Sequence, residues 1–247
     1  MPTIDPLFSP AVRELFAHWE RSDQLDRLET LHRGLIERRQ SIVEYAIPGD
    51  MRQRTISSCM VLQQALLHRA ERLLAGSGIL LIQCNIYALA LSVRGHVEAA
   101  AVLGYLCNRL GAVTAGNIPF SAFAYNIVCS FLGAKHPDHF AKSPNPPNIL
   151  TCIEKADDFL RATFRATSQK CLRDIYDWLS EFAHASNFLS HSSSFIVDTE
   201  KRKFVFRHDA GVQESDFELI GYLEISAGIF PILFDHLSGK LKSDGLA

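Results

Sequence analysis

Charge is nearly absent from the middle third of this 247-residue chain. Between positions 73 and 134 the only formal charges belong to Arg94, Glu98 and Arg109. Such a stretch must be buried in protein or in lipid, because apolar surface avoids water. A membrane-spanning helix needs about 20 continuous apolar residues, and Gln83 and Asn85 interrupt the first candidate. We therefore expect a buried helical core and no membrane span.

The sequence also lacks the motifs of several large enzyme classes. It has no Gly-x-Gly-x-x-Gly or Walker loop, so we expect no nucleotide cofactor of the Rossmann or P-loop type. It has no Gly-x-Ser-x-Gly elbow of the hydrolases. The histidine pairs His136/His139 and His184/His191 lack the spacing of a specific zinc site. We expect no metal and no other cofactor.

Paired cysteines and a signal peptide are missing as well. None of the six cysteines forms a Cys-x-x-Cys pair, and most fall inside apolar helical patterns, which is typical of small buried side chains. The N-terminus has no basic segment followed by an apolar run. These features predict a cytoplasmic protein. The net charge of −2 gives no global attraction to polyanions, so an RNA partner requires a local basic patch.

Apolar residues recur three and four positions apart through most of the chain, which is the helical period. The predicted helices cover about residues 10–20, 22–46, 50–76, 79–110, 119–132, 149–163, 168–184 and 215–241. Ile42 and Val43 are predicted to face inward, and Gly95 and Pro231 are potential kinks. Positions 133–148 contain four prolines and are predicted to form a loop.

Two strand-like runs, 195–198 and 203–207, flank a polar turn and predict a β-hairpin. The pattern Ser215-Asp-Phe-Glu218 predicts a capping box at the start of the last helix. The sequence thus predicts one all-α domain, a helical bundle with a small β-hairpin before the final helix. Its parts are the N-terminal helices (1–76), the apolar core helices (79–132) and the segment 148–247.

One predicted helix combines an apolar stripe with a row of ionisable groups. The polar row contains Arg173, Asp177, Ser180, Glu181 and His184. A carboxylate three residues before a histidine can orient the imidazole for general base catalysis, whereas a histidine near a helix end can equally satisfy backbone carbonyls. Candidate binding residues on and after this helix are Arg173, Tyr176, Asp177, Asn187 and His191.

Arg94 and Glu98 lie four residues apart in the most apolar region, where unpaired ions cost several kcal/mol to bury. They are expected to pair with each other. Two interpretations remain open: a buried ion pair that fixes helix packing, or a pocket shared with Asp177, Glu181 and His184. The candidate catalytic residues are therefore Arg94, Glu98, Glu181 and His184.

The segments Arg94-Gly-His-Val-Glu98, 148–157 and 172–184 together resemble a group of bacterial helical proteins of unknown activity. That group shares an Arg-x-x-x-Glu helix and a Tyr-x-x-Leu-Ser-Glu-x-x-His helix, and distantly resembles the HEPN superfamily. The resemblance implies a helical bundle, often dimeric, and in many members a metal-independent ribonuclease of toxin or phage-defence systems. The chain departs from these patterns at Ala185, where the group has proline, and in the spacing of Arg173 and His184, which exceeds that of the HEPN Arg-His motif.

Two functions follow as alternatives. The first is a helical binding or assembly module in which the Arg94, Glu98 and His184 cluster is structural. The second is a metal-independent ribonuclease, with His184 as general acid or base and RNA as the partner. A homodimer is predicted through the apolar residues of the last helix, Phe217, Ile220, Leu223, Ile229 and Phe234.

Overall fold

A computed structural model describes residues 7–44, 49–134, 143–164, 171–184, 194–206, 208 and 211–243. This part of the chain is a helical bundle with one antiparallel hairpin before the last helix, so the predicted fold class is confirmed. The elements are α1 (Pro10–His18), α2 (Ser22–Glu37), α3 (Met51–Ile82), α4 (Ile86–Thr114), α5 (Phe120–Leu132), α6 (Ile149–Phe164), α7 (Cys171–Ala183), β1 (Phe195–Asp198), β2 (Lys203–Phe206) and α8 (Phe217–Ser243).

Helix α4 is the centre of the bundle and packs against α3, α6, α7 and α8. Most of its apolar side chains after Leu91 are buried, as the scarcity of charge predicts; they include Val93, Val97, Leu103 and Leu106. Two segments, α4 and Glu214–Lys242, are long and apolar enough to cross a membrane by length and composition alone. In α4, 61% of that stretch is buried inside the protein. The absence of a membrane span stays a prediction.

Local signals place several helix starts correctly. The Ser9 hydroxyl accepts a hydrogen bond from the Val12 amide, so Ser9 caps α1, as is typical of a Ser-Pro helix start. Asp50 caps α3, and its side chain and that of Gln53 form a reciprocal capping box. These caps depend on residues within three positions of each other.

Two predicted helix ends are wrong. Helix α2 ends at Glu37 instead of near residue 46, and Ile42, predicted to face inward, is 82% exposed. Directly after this end, the side chains of Arg38 and Arg39 bind acids on α8 and α3. Helix α3 continues past Gly76 to Ile82. The break falls at residues 83–85, where Cys84 has a φ of 52°.

Gly78, inside α3, lies where the chain before α1 packs on this helix. A Cβ atom at this position would lie 2.6 Å from the Phe8 ring, so the glycine allows the chain before α1 to pack directly on α3. Gly95, considered as a kink, lies inside α4, where a Cβ would come within 3.2 Å of Arg69 and Leu73. Both glycines serve close packing between segments.

The hairpin has the predicted strands, with Phe195 paired to Phe206 and Asp198 paired to Lys203. The last helix follows a short 3-10 turn capped by Gln213 and Asp216, so the predicted capping pair was placed two residues too late. Pro231 lies within α8. Four of the five residues predicted to form a dimer face are at most 6% exposed and belong to the core: Phe217, Ile220, Leu223 and Phe234.

Candidate functional site

The helix predicted to carry the site, α7, is fixed at its N-terminus by a buried carboxylate on α6. Asp157 is 5% exposed, and its two oxygens accept hydrogen bonds from the amides of Leu172 and Arg173, each at 3.0 Å. Burial raises the pKa of the Asp157 carboxyl, and the two amide bonds oppose that rise. This cap joins residues 15 and 16 positions apart, and no short motif in the sequence indicates it.

The apolar stripe of α7 packs on the core as predicted, and it brings Tyr176 to Arg94 on α4. The Arg94 Nη2 donates a hydrogen bond of 2.6 Å to the Tyr176 hydroxyl, and its guanidinium lies 4.6 Å from the ring centroid. Arg94 Nε is 3.3 Å from Glu98 Oε1, which confirms the expected pair. Arg69 of α3 lies 3.6 Å from the other Glu98 oxygen. We call these four residues the Arg94 cluster.

The other residues of the predicted pocket, Asp177, Glu181 and His184, are not bonded to the Arg94 cluster by any contact among the described residues. Asp177 instead accepts a 2.7 Å hydrogen bond from Arg173, which also reaches Glu154 at 3.4 Å. Within the described residues, no hydrogen bond or ion pair links the side chain of Glu181 or His184 to Arg94 or Glu98. His184 is exposed at the end of α7. Asn187 and His191 lie outside the described residues.

The histidine between Arg94 and Glu98 in sequence is part of the core. His96 is fully buried, and its Nδ1 lies 2.9 Å from the hydroxyl of Ser226 on α8. Burial lowers the pKa of His96 to about 4. Its imidazole is therefore neutral at pH 7, and a fully buried ring has no access to a substrate.

The Arg94 cluster is a set of polar contacts that joins α3, α4 and α7. Arg94 and Glu98 are about three-quarters buried, and each has polar partners from its own helix and from a neighbouring one. A guanidinium held by a phenol and a carboxylate has little remaining capacity to bind a substrate anion. Across the described residues, no three His, Cys, Asp or Glu side chains are grouped to hold a metal ion. His136 and His139 lie outside the described residues.

A second charged cluster, not predicted from the sequence, joins α3 to the segment after α2. Arg39 binds Glu71 through two hydrogen bonds, one of them from Nε at 2.7 Å, and His32 lies 3.9 Å from the same carboxylate. Burial alone would raise the pKa of Glu71, but the bonds and charge of Arg39 hold it below its ordinary value. Burial lowers the pKa of His32. One signal was available, since Glu71 is the only acid within α3.

The β-hairpin carries several of the exposed apolar side chains of the described residues. Antiparallel register places four apolar side chains on one face, which we call the aromatic face: Phe195, Val197, Phe204 and Phe206. Phe204 and Phe206 are 63% and 60% exposed, and Val197 is 52% exposed. Neither strand packs extensively on any helix. The sequence indicated the hairpin, but not that its apolar face is left uncovered.

Further exposed apolar residues lie at the corner where α3 turns into α4. Ile79, Tyr87 and Leu91, which we call the corner patch, are 57%, 38% and 51% exposed. The Tyr87 hydroxyl is 2.6 Å from the hydroxyl of Ser194, the residue just before β1. The hairpin and the corner patch therefore lie at the same end of the molecule.

Comparison of the chain with protein family models, with curated protein sequences and with solved structures gives no match. The predicted resemblance to the HEPN superfamily accordingly stays a prediction.

Proposed function

We propose that the protein is a non-catalytic helical assembly module that self-associates through its hairpin. In the proposed dimer, the aromatic face of one copy covers the corner patch of a second copy, and the reverse contact forms at the same time. The exposure of the aromatic face is the observation that carries this proposal, because a two-stranded hairpin is at best marginally stable alone. Covering that face with another chain stabilises both.

The two faces of the hairpin differ in polarity, which favours contact of the aromatic face with another protein. Its second face carries the apolar pair Ile196 and Val205, followed by the charged pair Asp198 and Lys203. The turn between the strands contains Glu200, Lys201 and Arg202. The charged turn and the charged pair of the second face can stay in water while the aromatic face contacts another protein surface. They do not suit insertion of the tip into lipid.

The exposed apolar area and the location of the two surfaces support a second copy of the chain as the partner. Since an aromatic side chain offers roughly 150–250 Å², the exposed parts of the aromatic face and the corner patch together amount to on the order of 600 Å². A standard interface buries about 800 Å² per partner, of which slightly more than half is apolar. The two surfaces lie at one end of the molecule, so a two-fold axis there gives both contacts from one pair of surfaces.

Light scattering of the full chain at micromolar concentration tests the proposal. We expect the mass of a dimer for the unchanged protein and of a monomer for the double variant Phe204→Ser, Phe206→Ser. The matched control is Ile225→Ser, Ile232→Ser, which removes two apolar side chains of 43% and 46% exposure from α8. This control should remain dimeric. A monomeric unchanged protein, or a dimeric hairpin variant, would contradict self-association through the hairpin.

A mixing experiment identifies the second surface. The patch variant Leu91→Asp and the hairpin variant should each be monomeric alone. Mixed together they should form a heterodimer, because one intact hairpin still meets one intact corner patch. Absence of the heterodimer, with both variants folded by circular dichroism, would show that the corner patch is not the surface that receives the hairpin.

The alternative of a metal-independent ribonuclease stays a prediction. No contact among the described residues favours it, since Arg94 is bound to Tyr176 and Glu98 and the side chain of His184 has no bond to either. Cleavage of structured RNA in EDTA that is lost in His184→Ala would establish it.

A further inference from the structure

Two adjoining clefts open where the chain leaves α2. The first, about 260 Å³, lies between the end of α2, α3 and the last turns of α8. The second, about 340 Å³, lies between the same segment and the middle of α3. Both are lined by Arg39, Gln40 and Gln64, so the two clefts adjoin on either side of these side chains.

The dividing segment, Arg38–Gln40, is held rigidly although it is outside any helix. The Gln64 side chain accepts a hydrogen bond from the Gln40 amide at 3.0 Å and donates one to the Arg38 carbonyl at 3.1 Å. Arg38 binds Asp235 of α8 with two hydrogen bonds, and Arg39 binds Glu71 of α3 with two. A site whose walls are fixed in advance loses little entropy when a ligand binds.

The second cleft has the composition of an oxyanion site. Its polar lining is formed by Arg39, Gln40, Ser41, Gln64, His68 and Arg72, together with Glu71. Glu71 is the only acid in that lining; it is 6% exposed, and both its oxygens are bound by Arg39. Arg72 is exposed and has no ion-pair partner among the described residues. The exposed side chains of Arg72 and His68, with the only nearby carboxylate of the described lining held by Arg39, favour a phosphate or carboxylate group.

The first cleft offers an apolar floor. Met60, Phe234 and Leu241 form this floor, and Gln63 and Ser238 lie at its polar side. The charged side chains of the cleft are Arg38, paired with Asp235, and the residues Glu37, Arg39 and Lys242. The Gln63 amide nitrogen donates to the Phe234 carbonyl at 3.2 Å and to the Ser238 hydroxyl at 3.1 Å, so its orientation is fixed. An apolar floor with a few oriented polar groups is typical of a site for a flat organic ring.

We propose that the two clefts together bind a small phosphate ester of an aromatic or heteroaromatic group, such as a nucleoside monophosphate. The ring lies in the first cleft beside Met60, and the phosphate lies against Arg72 and His68. The phosphate is held by side chains, in contrast to the backbone amides of a P-loop or Rossmann site. This site is independent of the hairpin and of self-association.

Isothermal titration of the full chain tests this site with AMP, adenosine, glycerol phosphate and inorganic phosphate. We expect AMP to bind at least about tenfold more tightly than each of the other three, because only AMP occupies both clefts. Glycerol phosphate binding as tightly as AMP would overturn the role of the apolar cleft. Adenosine binding as tightly would overturn the role of the cationic one. No binding of AMP at millimolar concentration would overturn the whole proposal.

A pair of arginine variants locates the phosphate. Arg72→Gln should weaken AMP binding about tenfold, through the loss of one charge-assisted contact. The control Arg33→Gln removes an equally exposed arginine of α2 that lines neither cleft, and should leave the affinity unchanged. Equal affinities for the two variants would show that AMP does not bind in these clefts. Both positions are exposed, so neither substitution is expected to unfold the protein.

Discussion

The Arg94 cluster and the hairpin differ in what the fold leaves unsatisfied. In the Arg94 cluster, two arginines, a carboxylate and a phenol from three helices contact one another, and all but Arg69 are largely removed from solvent. In the hairpin, three phenylalanines and a valine share one face, and two of the phenylalanines are more than half exposed. In the first region the polar groups contact one another, and the buried Arg94 Nε, 3.3 Å from Glu98, is without a hydrogen-bond partner among the described residues. In the second region the apolar side chains of the aromatic face remain largely in water.

This difference indicates where each region contributes. Polar groups that already bind each other stabilise the contact of α3, α4 and α7 and have little capacity for a ligand. Apolar side chains that remain in water favour contact with another surface. Substitutions should therefore separate the two regions: changes near α4 and α7 should lower stability, whereas changes in the hairpin should alter association.

The largest effect on stability is expected from acid, through His96 in the core beside the Arg94 cluster. Burial lowers its pKa from 6.5 to about 4, so between these values the unfolded chain takes up a proton that the folded chain does not. Stability should thus fall by up to about 3 kcal/mol as the pH drops from 6.5 to 4. Urea unfolding at several pH values measures this loss.

His96→Leu should remove most of that pH dependence, because it removes the buried imidazole. The substitution leaves Ser226 with its hydrogen bond to the Leu223 carbonyl, so no buried hydroxyl loses its only partner. A smaller dependence should remain from His32, whose pKa burial also lowers. The exposed His68→Leu serves as control and should keep the full dependence. An unchanged pH profile in His96→Leu would contradict the buried, neutral imidazole.

The next effect concerns the cap that positions α7. Asp157→Ala leaves the buried amides of Leu172 and Arg173 without an acceptor and should destabilise the protein by about 2 kcal/mol. Its neighbour Asp158, which forms only surface pairs with Lys155 and Arg161, is the control. Asp158→Ala should change the free energy of unfolding by less than about 0.5 kcal/mol. Equal effects of the two substitutions would show that the cap does not fix α7.

Arg94→Met should have a smaller effect, about 1 kcal/mol. The sequence alone predicts a larger loss of stability, several kcal/mol, because Glu98 would remain as a buried ion without a partner. In the structure, Glu98 keeps Arg69 as a partner and its side chain is 27% exposed, which reduces the cost. Denaturation of Arg94→Met measures it, with Arg69→Met as a control of under about 0.5 kcal/mol. A loss above about 3 kcal/mol would contradict the partly hydrated cluster.

The smallest effect on the stability of the single chain is expected in the hairpin. Phe204→Ser with Phe206→Ser should change it by less than about 0.5 kcal/mol, because both rings are mostly exposed. The unfolding midpoint of the unchanged protein should rise with protein concentration, as for a dimer, while that of the variant should not. A concentration-dependent midpoint in the variant would contradict docking through the aromatic face.

Features that depend on neighbouring residues could be predicted from the sequence. The Ser9 and Asp50 caps, the hairpin and the Arg94–Glu98 pair all depend on positions close in the chain. Features that depend on distant residues could not. Helix α2 ends where Arg39 meets Glu71, 32 positions away.

The candidate site shows the same division. Arg94 and Glu98 lie one helical turn apart, so their contact follows from the helical period. The partners that complete the cluster, Tyr176 and Arg69, come from two other helices. The spacing of Glu181 and His184 predicted a functional pair, but a shared helix face does not determine which neighbouring element faces it. The exposure of the aromatic face could not be predicted for the same reason, because it depends on whether any helix packs over the hairpin.

Light scattering of three full-length proteins tests the division between the two regions most directly: the unchanged chain, Arg94→Met, and Phe204→Ser with Phe206→Ser. We predict a dimer for the first two and a folded monomer for the third. A folded Arg94→Met that is monomeric, together with a dimeric hairpin variant, would contradict it, because association would then depend on the Arg94 cluster and not on the hairpin.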